Sequence, residues 1–70
     1  MKIRVISKEN SSYADIDLDE FMFGDFELTF NDETTLPKND LMFFRNDYDY
    51  YIRLSESDSW SKIDVKEFYL

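Results

Sequence analysis

The chain has no cysteine and no histidine. Disulfides and the usual zinc sites are therefore excluded, and so are the common nucleophile–base pairs of enzymes. Glycine and proline occur once each, so no glycine-rich loop can cradle a phosphate. No apolar run approaches the ~20 residues of a membrane-spanning helix. The opening MKIRVISKEN reads as a short strand and not as a secretory leader, so a cytoplasmic location is expected and the Asn10-Ser11-Ser12 sequon is fortuitous. The most telling absence is of positive charge. No Lys or Arg stands between Lys8 and Lys38.

What the chain does have is aromatic residues and acid. Thirteen of its 70 residues are aromatic, and thirty are hydrophobic. A chain this short buries only roughly 60% of its unfolded surface. Large rings, burying about 150–250 Å² each, are how it reaches a workable core. We therefore expect one folded domain over residues 1–70. The net charge is −8, and it is unevenly spread: +3 over residues 1–8, −9 over 9–37 and −2 over 38–70. Such a chain repels nucleic acid, and its natural complement is a basic protein surface. The plainer alternative is an acidic surface that only keeps a small protein soluble.

Residue patterning predicts an α+β fold, a mainly antiparallel sheet with one or two short helices. Lys2–Ser7 alternates as a strand and Glu9–Ser12 is a turn, so Tyr13–Ile16 can pair back as a hairpin. Asp17 resembles a helix N-cap with Glu20 three residues on, and Gly24 can close Leu18–Phe23 in the left-handed conformation. Continuous strand is the competing reading there, because Asp15, Asp17 and Asp19 alternate with Ile16 and Leu18. Asp25–Phe30 alternates cleanly as a strand, and Asn31–Asp40 reads as a loop. Leu41–Arg45 and Tyr48–Leu54 flank a tight turn at Asn46-Asp47. A further turn at Glu56–Ser59 leads to a strand at Trp60–Ile63. Residues 63–70, IDVKEFYL, echo residues 16–23, IDLDEFMF, but with Lys66 in place of Asp19. The acid of the first copy is thus not needed for its local fold.

Chemistry is sparse. Asp15-x-Asp17-x-Asp19 begins like a calcium loop, but Glu20 and Phe26 stand where such a loop needs its glycine and its bidentate Glu. We expect no metal, no cofactor and no catalysis. Tyr48, Tyr50 and Tyr51 are either core rings or an interface, and Trp60 reads rather as core. Asp47 and Asp49 beside those tyrosines argue against stacking on bases, which needs basic flanks.

The carboxylates themselves remain. Alternate residues on a strand lie about 6.6–6.8 Å apart on one face, close to two phosphate steps of a DNA strand in projection. A rigid acidic domain can therefore present the charge density of a duplex without the ordering cost of a disordered tail. This pattern resembles the small phage-encoded DNA-mimic proteins that block DNA-binding proteins of the host. That class includes uracil-DNA glycosylase inhibitors, anti-restriction proteins, some anti-CRISPR proteins and phage inhibitors of the nucleoid protein HU. The likeness is in size and acidity over the whole chain and in charge pattern over residues 9–58; such mimics share charge geometry and not sequence. Within that class it resembles the phage inhibitors of HU.

The resemblance implies a non-enzymatic inhibitor in the cytoplasm of an infected bacterium. It would act as a monomer or weak homodimer and would touch neither DNA nor membrane. Asp15, Asp17, Asp19, Glu20, Asp25 and Glu27 would imitate phosphates, seconded by Asp47, Asp49, Glu56 and Asp58. HU is the first expected target, with a DNA glycosylase, a nuclease or RNA polymerase as alternatives. The rival expectation is a structural or adaptor module that self-associates through its aromatic strands.

Overall fold

The computed structural model describes residues 1–41 and 47–63. The chain forms strand β1 (Lys2–Ser7), strand β2 (Tyr13–Asp17), helix α1 (Leu18–Phe23), strands β3 (Glu27–Thr29) and β4 (Thr35–Pro37), a single helical turn α2 (Lys38–Leu41), strand β5 (Tyr48–Arg53) and strand β6 (Ser61–Lys62). β1, β2, β5 and β6 make an antiparallel sheet in the order β2-β1-β5-β6, and β3 and β4 make a separate hairpin. This is the small, mainly antiparallel α+β domain that the patterning predicts.

The alternation within KIRVIS decides the core. Ile3 and Val5 are fully buried, while Lys2, Arg4 and Ile6 face the other way. Pairing extends this row across the sheet: Ile16, Ile3 and Ile52 stand abreast, as do Ala14, Val5 and Tyr50. Phe21 from α1 and Leu28 and Phe30 from the β3–β4 segment close over that face, with Leu18, Met22, Phe26, Leu36, Tyr48 and Ile63 packed around them. Tyr50 is a core ring and Tyr48 packs beside it, whereas Tyr51 lies half-buried on the opposite face. The expectation that Trp60 joins the core is corrected. It lies half-buried on the outer face, where its ring meets two guanidinium groups.

The helix falls at Leu18–Phe23 as expected, but its ends are held differently. Asp17 makes no side-chain cap, because its carboxylate is drawn across the hairpin to Lys2 Nζ at 3.2 Å. The Leu18 N–H donates instead to the Met1 carbonyl. Gly24 is extended, with φ −84°, and not left-handed. Its lack of a side chain matters for another reason: a Cβ there would stand 2.9 Å from the Glu20 carbonyl oxygen, which accepts the Gly24 N–H. Lys38 Nζ donates to the Gly24 carbonyl and completes the helix end.

The strand expected at Asp25–Phe30 is shorter, and the segment expected as a loop, Asn31–Asp40, holds β4 and most of α2. The tight reversal after Phe30 explains this. The Asp32 carboxylate accepts the Thr34 N–H, Glu33 takes a left-handed φ of 73°, and the chain returns with Leu36 opposite Leu28. Pro37 is tolerated because β4 is an edge strand. The expected strand at Leu41–Arg45, Asn46 of the expected turn and residues 64–70 of the second IDxxEF copy lie outside the described residues, save that Leu41 ends α2.

Candidate protein-binding surface

The ten carboxylates singled out by sequence separate into distinct environments. Three lie on the outer face of the sheet, and each has a basic partner. Asp15 receives both Nε and Nη2 of Arg4, at 2.7 and 2.9 Å. Asp17 pairs with Lys2, and Asp49 sits between Lys62 at 3.4 Å and Lys8 at 3.7 Å. Arg4 is also stacked 4.4 Å from the Tyr13 ring and 4.5 Å from Trp60, whose ring takes Arg53 as well, at 4.6 Å. The hydrogen bonds it donates to Asp15 hold the Arg4 guanidinium above its ordinary pKa, so it stays charged in this stack.

The first two pairs follow from the hairpin. Its register sets Lys2 opposite Asp17 and Arg4 opposite Asp15. Charge that is uncompensated along the sequence is thereby compensated in space.

Asp19, Glu20, Asp25 and Glu27 are placed otherwise. They occupy α1, the bend after it and β3, and all four are exposed. No salt bridge among the described residues reaches them. Residues 18–37 contain six acids and no base. Lys38, the next cation, turns toward the Gly24 carbonyl and the face of Phe26. The other three candidates are scattered: Asp47 precedes β5, and Glu56 and Asp58 are in the exposed turn after it. Asp58 is engaged locally by the Ser55 hydroxyl.

Asp32 belongs with the acidic layer and was not among the candidates. Its carboxylate accepts the Thr34 N–H and the Asn10 amide, which hold its pKa down to about 2. The signal was present in the sequence as Asn-Asp-Glu-Thr, a side chain two residues before the N–H it caps. Glu33 stands beside it, also exposed.

A hollow of about 360 Å³ is lined by Met1, Asp17, Leu18, Asp19 and Glu20. Its side-chain polar groups are carboxylates. Among the described residues no group of three ligating side chains converges on a metal position. No helix among them is long and apolar enough to cross a membrane. No family model, curated protein or solved structure matches the chain.

Proposed function

We propose that this chain is a DNA mimic. It occupies the basic DNA-binding surface of a host nucleic-acid-binding protein and excludes DNA from it, within the cytoplasm of an infected bacterium. The observation that carries this reading is the segregation of charge. Exposed acids that no salt bridge among the described residues reaches lie along α1 and the β3–β4 hairpin, where Lys38 is turned to the Gly24 carbonyl, while the bases Lys2, Arg4, Arg53 and Lys62 are gathered on the outer sheet face. Solubility alone requires no such division.

Asp19, Glu20, Asp25 and Glu27 are the foremost phosphate substitutes. Asp15, Asp17 and Asp49 recede, because each would have to leave a base within its own sheet to meet a partner's. HU is the first target, since proteins that read backbone and deformability more than bases can be deceived by charge alone. A glycosylase, a nuclease or RNA polymerase would follow.

A gel shift with HU and a duplex tests it. Adding this chain should release the DNA, approaching completion at a stoichiometric ratio, and the chain alone should shift no DNA. A stable ternary complex would overturn the mimic reading, because the target's Lys and Arg cannot be neutralised twice. The outer sheet face, with Tyr13, Tyr51 and Trp60 beside Arg4 and Arg53, favours the second reading, an adaptor that self-associates there. Self-association that persists in molar salt would support it.

A further inference from the structure

One ring is in the wrong place for a solvated helix. At about 100° of rotation per residue, Leu18, Phe21 and Met22 fall within one arc of α1, and Asp19, Phe23 and Glu20 fall in the opposite arc, with Phe23 between the two acids. The burial agrees. Phe21 is fully buried and Leu18 and Met22 are half-buried, but Phe23 is 84% exposed. The other phenylalanines among the described residues, Phe21, Phe26 and Phe30, all belong to the core or pack against it. Helix amphipathicity calls for a polar residue at position 23. Among the described residues neither the helix nor the core uses this ring.

We infer that Phe23 is the anchor of the binding surface, seated against an apolar side chain that the basic partner presents among its Lys and Arg. The inference rests on the mimic reading and deepens it. Charge complementarity selects the occupant: the ring is flanked by Asp19 and Glu20 on α1 and followed by Asp25 and Glu27. A partner that docks here must bring cations for the rim and an apolar group for the centre. That division, an aromatic centre inside a charged rim, is how protein interfaces concentrate affinity.

Proteins that bend DNA carry such a group. They insert apolar wedges between base steps, next to the basic residues that hold the phosphates. A mimic made of carboxylates alone would leave that wedge in contact with charge. Phe23 offers it the apolar contact that an unstacked base step offers in DNA. Carboxylates then govern the approach and the salt dependence, and the ring governs how long the complex lasts.

The test is a binding titration of purified HU against the parent chain, Phe23→Ala, Phe23→Leu and the double variant Asp19→Asn/Glu20→Gln. It is run from physiological ionic strength to about 0.5 M salt. Circular dichroism checks that each variant is folded, which is expected because all three positions are exposed. Phe23→Ala should weaken binding roughly thirtyfold at every salt concentration and leave the salt slope unchanged. Phe23→Leu should keep most of the affinity, and the double variant should flatten the slope. Binding by Phe23→Ala within about twofold of the parent chain overturns this inference and leaves the mimic reading standing. Failure of the parent chain to bind HU at any salt overturns the choice of HU and this inference with it.

Discussion

The outer face of the sheet and the layer formed by α1 and the β3–β4 hairpin both carry carboxylates, and they treat them oppositely. On the sheet, Asp15, Asp17 and Asp49 are met by Arg4, Lys2, Lys8 and Lys62. On the other layer, Asp19, Glu20, Asp25 and Glu27 meet no base among the described residues. Of the described cations only Lys38 lies in that layer, turned to the Gly24 carbonyl and the Phe26 ring, and the other five are placed elsewhere. Surface pairs contribute little to stability one by one, typically 0–1 kcal/mol. The Arg4 arrangement is more than a pair, since it adds two ring faces to a bidentate carboxylate. One set of acids helps hold the fold, and the other makes no ion pair among the described residues.

Breaking the sheet face should have the largest effect. Arg4→Ala removes a bidentate contact and two cation–π contacts, and should destabilise the fold by about 2 kcal/mol. Arg4→Lys should recover only part of this, because an ammonium cannot reproduce the planar fork. Urea unfolding of the three proteins measures it. Equal stability of the Ala variant and the parent chain would show that the two faces are not held differently.

Neutralising the other layer should do the converse. The variant Asp19→Asn, Glu20→Gln, Asp25→Asn, Glu27→Gln should lose about tenfold or more in affinity for the basic target at physiological salt. Its stability should stay the same or rise, as like charges no longer repel. Asp15→Asn should show the reverse pattern. Parallel urea and binding titrations decide between these patterns, and a quadruple variant that unfolds easily would contradict the division.

The smallest effect concerns Asp32. Its folded pKa of about 2 lies below the ordinary 3.8, so its contribution is fully present above about pH 4 and is lost as the pH falls toward 2. Asp32→Asn should keep an acceptor for the Thr34 N–H and flatten the acid limb of stability between those two pH values. Unfolding curves collected across that range measure the change. An unchanged acid limb would show that this turn does not depend on charge.

Local periodicity made much of the fold legible. The strand Lys2–Ser7, the helix Leu18–Phe23 and the inward row Phe26, Leu28, Phe30 all follow from side-chain spacing within a few residues. What escaped was whatever a distant partner decides. Asp17 has the spacing of an N-cap, but Lys2 across the hairpin competes for its carboxylate. Thr35–Pro37 is too short and polar to read as a strand until Leu36 finds Leu28. The acidic segment was legible as a composition but not as a surface. A hairpin folds a linear charge count back on itself, and the register Lys2↔Asp17, Arg4↔Asp15 removes two of its most prominent members. The expected hairpin set no register, and the one the chain takes, with the Ser7 N–H donating to the Ser12 carbonyl, is what brings those pairs together. Phe23 escaped for the opposite reason, because a phenylalanine in an apolar run is taken for core until the helix shows which way it points.

The position of β1 between β2 and β5 also bears on how the molecule assembles. The β1–β2 hairpin closes over a short turn, so its pairing is local in the sequence. The other flank of β1 is supplied by β5, with Lys2 opposite Arg53, a separation of 51 residues (53 − 2). Until that long loop closes, Ile3 and Val5 have only one neighbouring strand, and the core has neither Tyr50 nor Ile52. The entropy of closing it must be met before any of those contacts forms. Folding should therefore be slower than the chain's small size suggests, and governed by a late, all-or-none meeting of β1 with β5. Until that meeting, the open edge of β1 is the place where a second unfolded chain could pair instead.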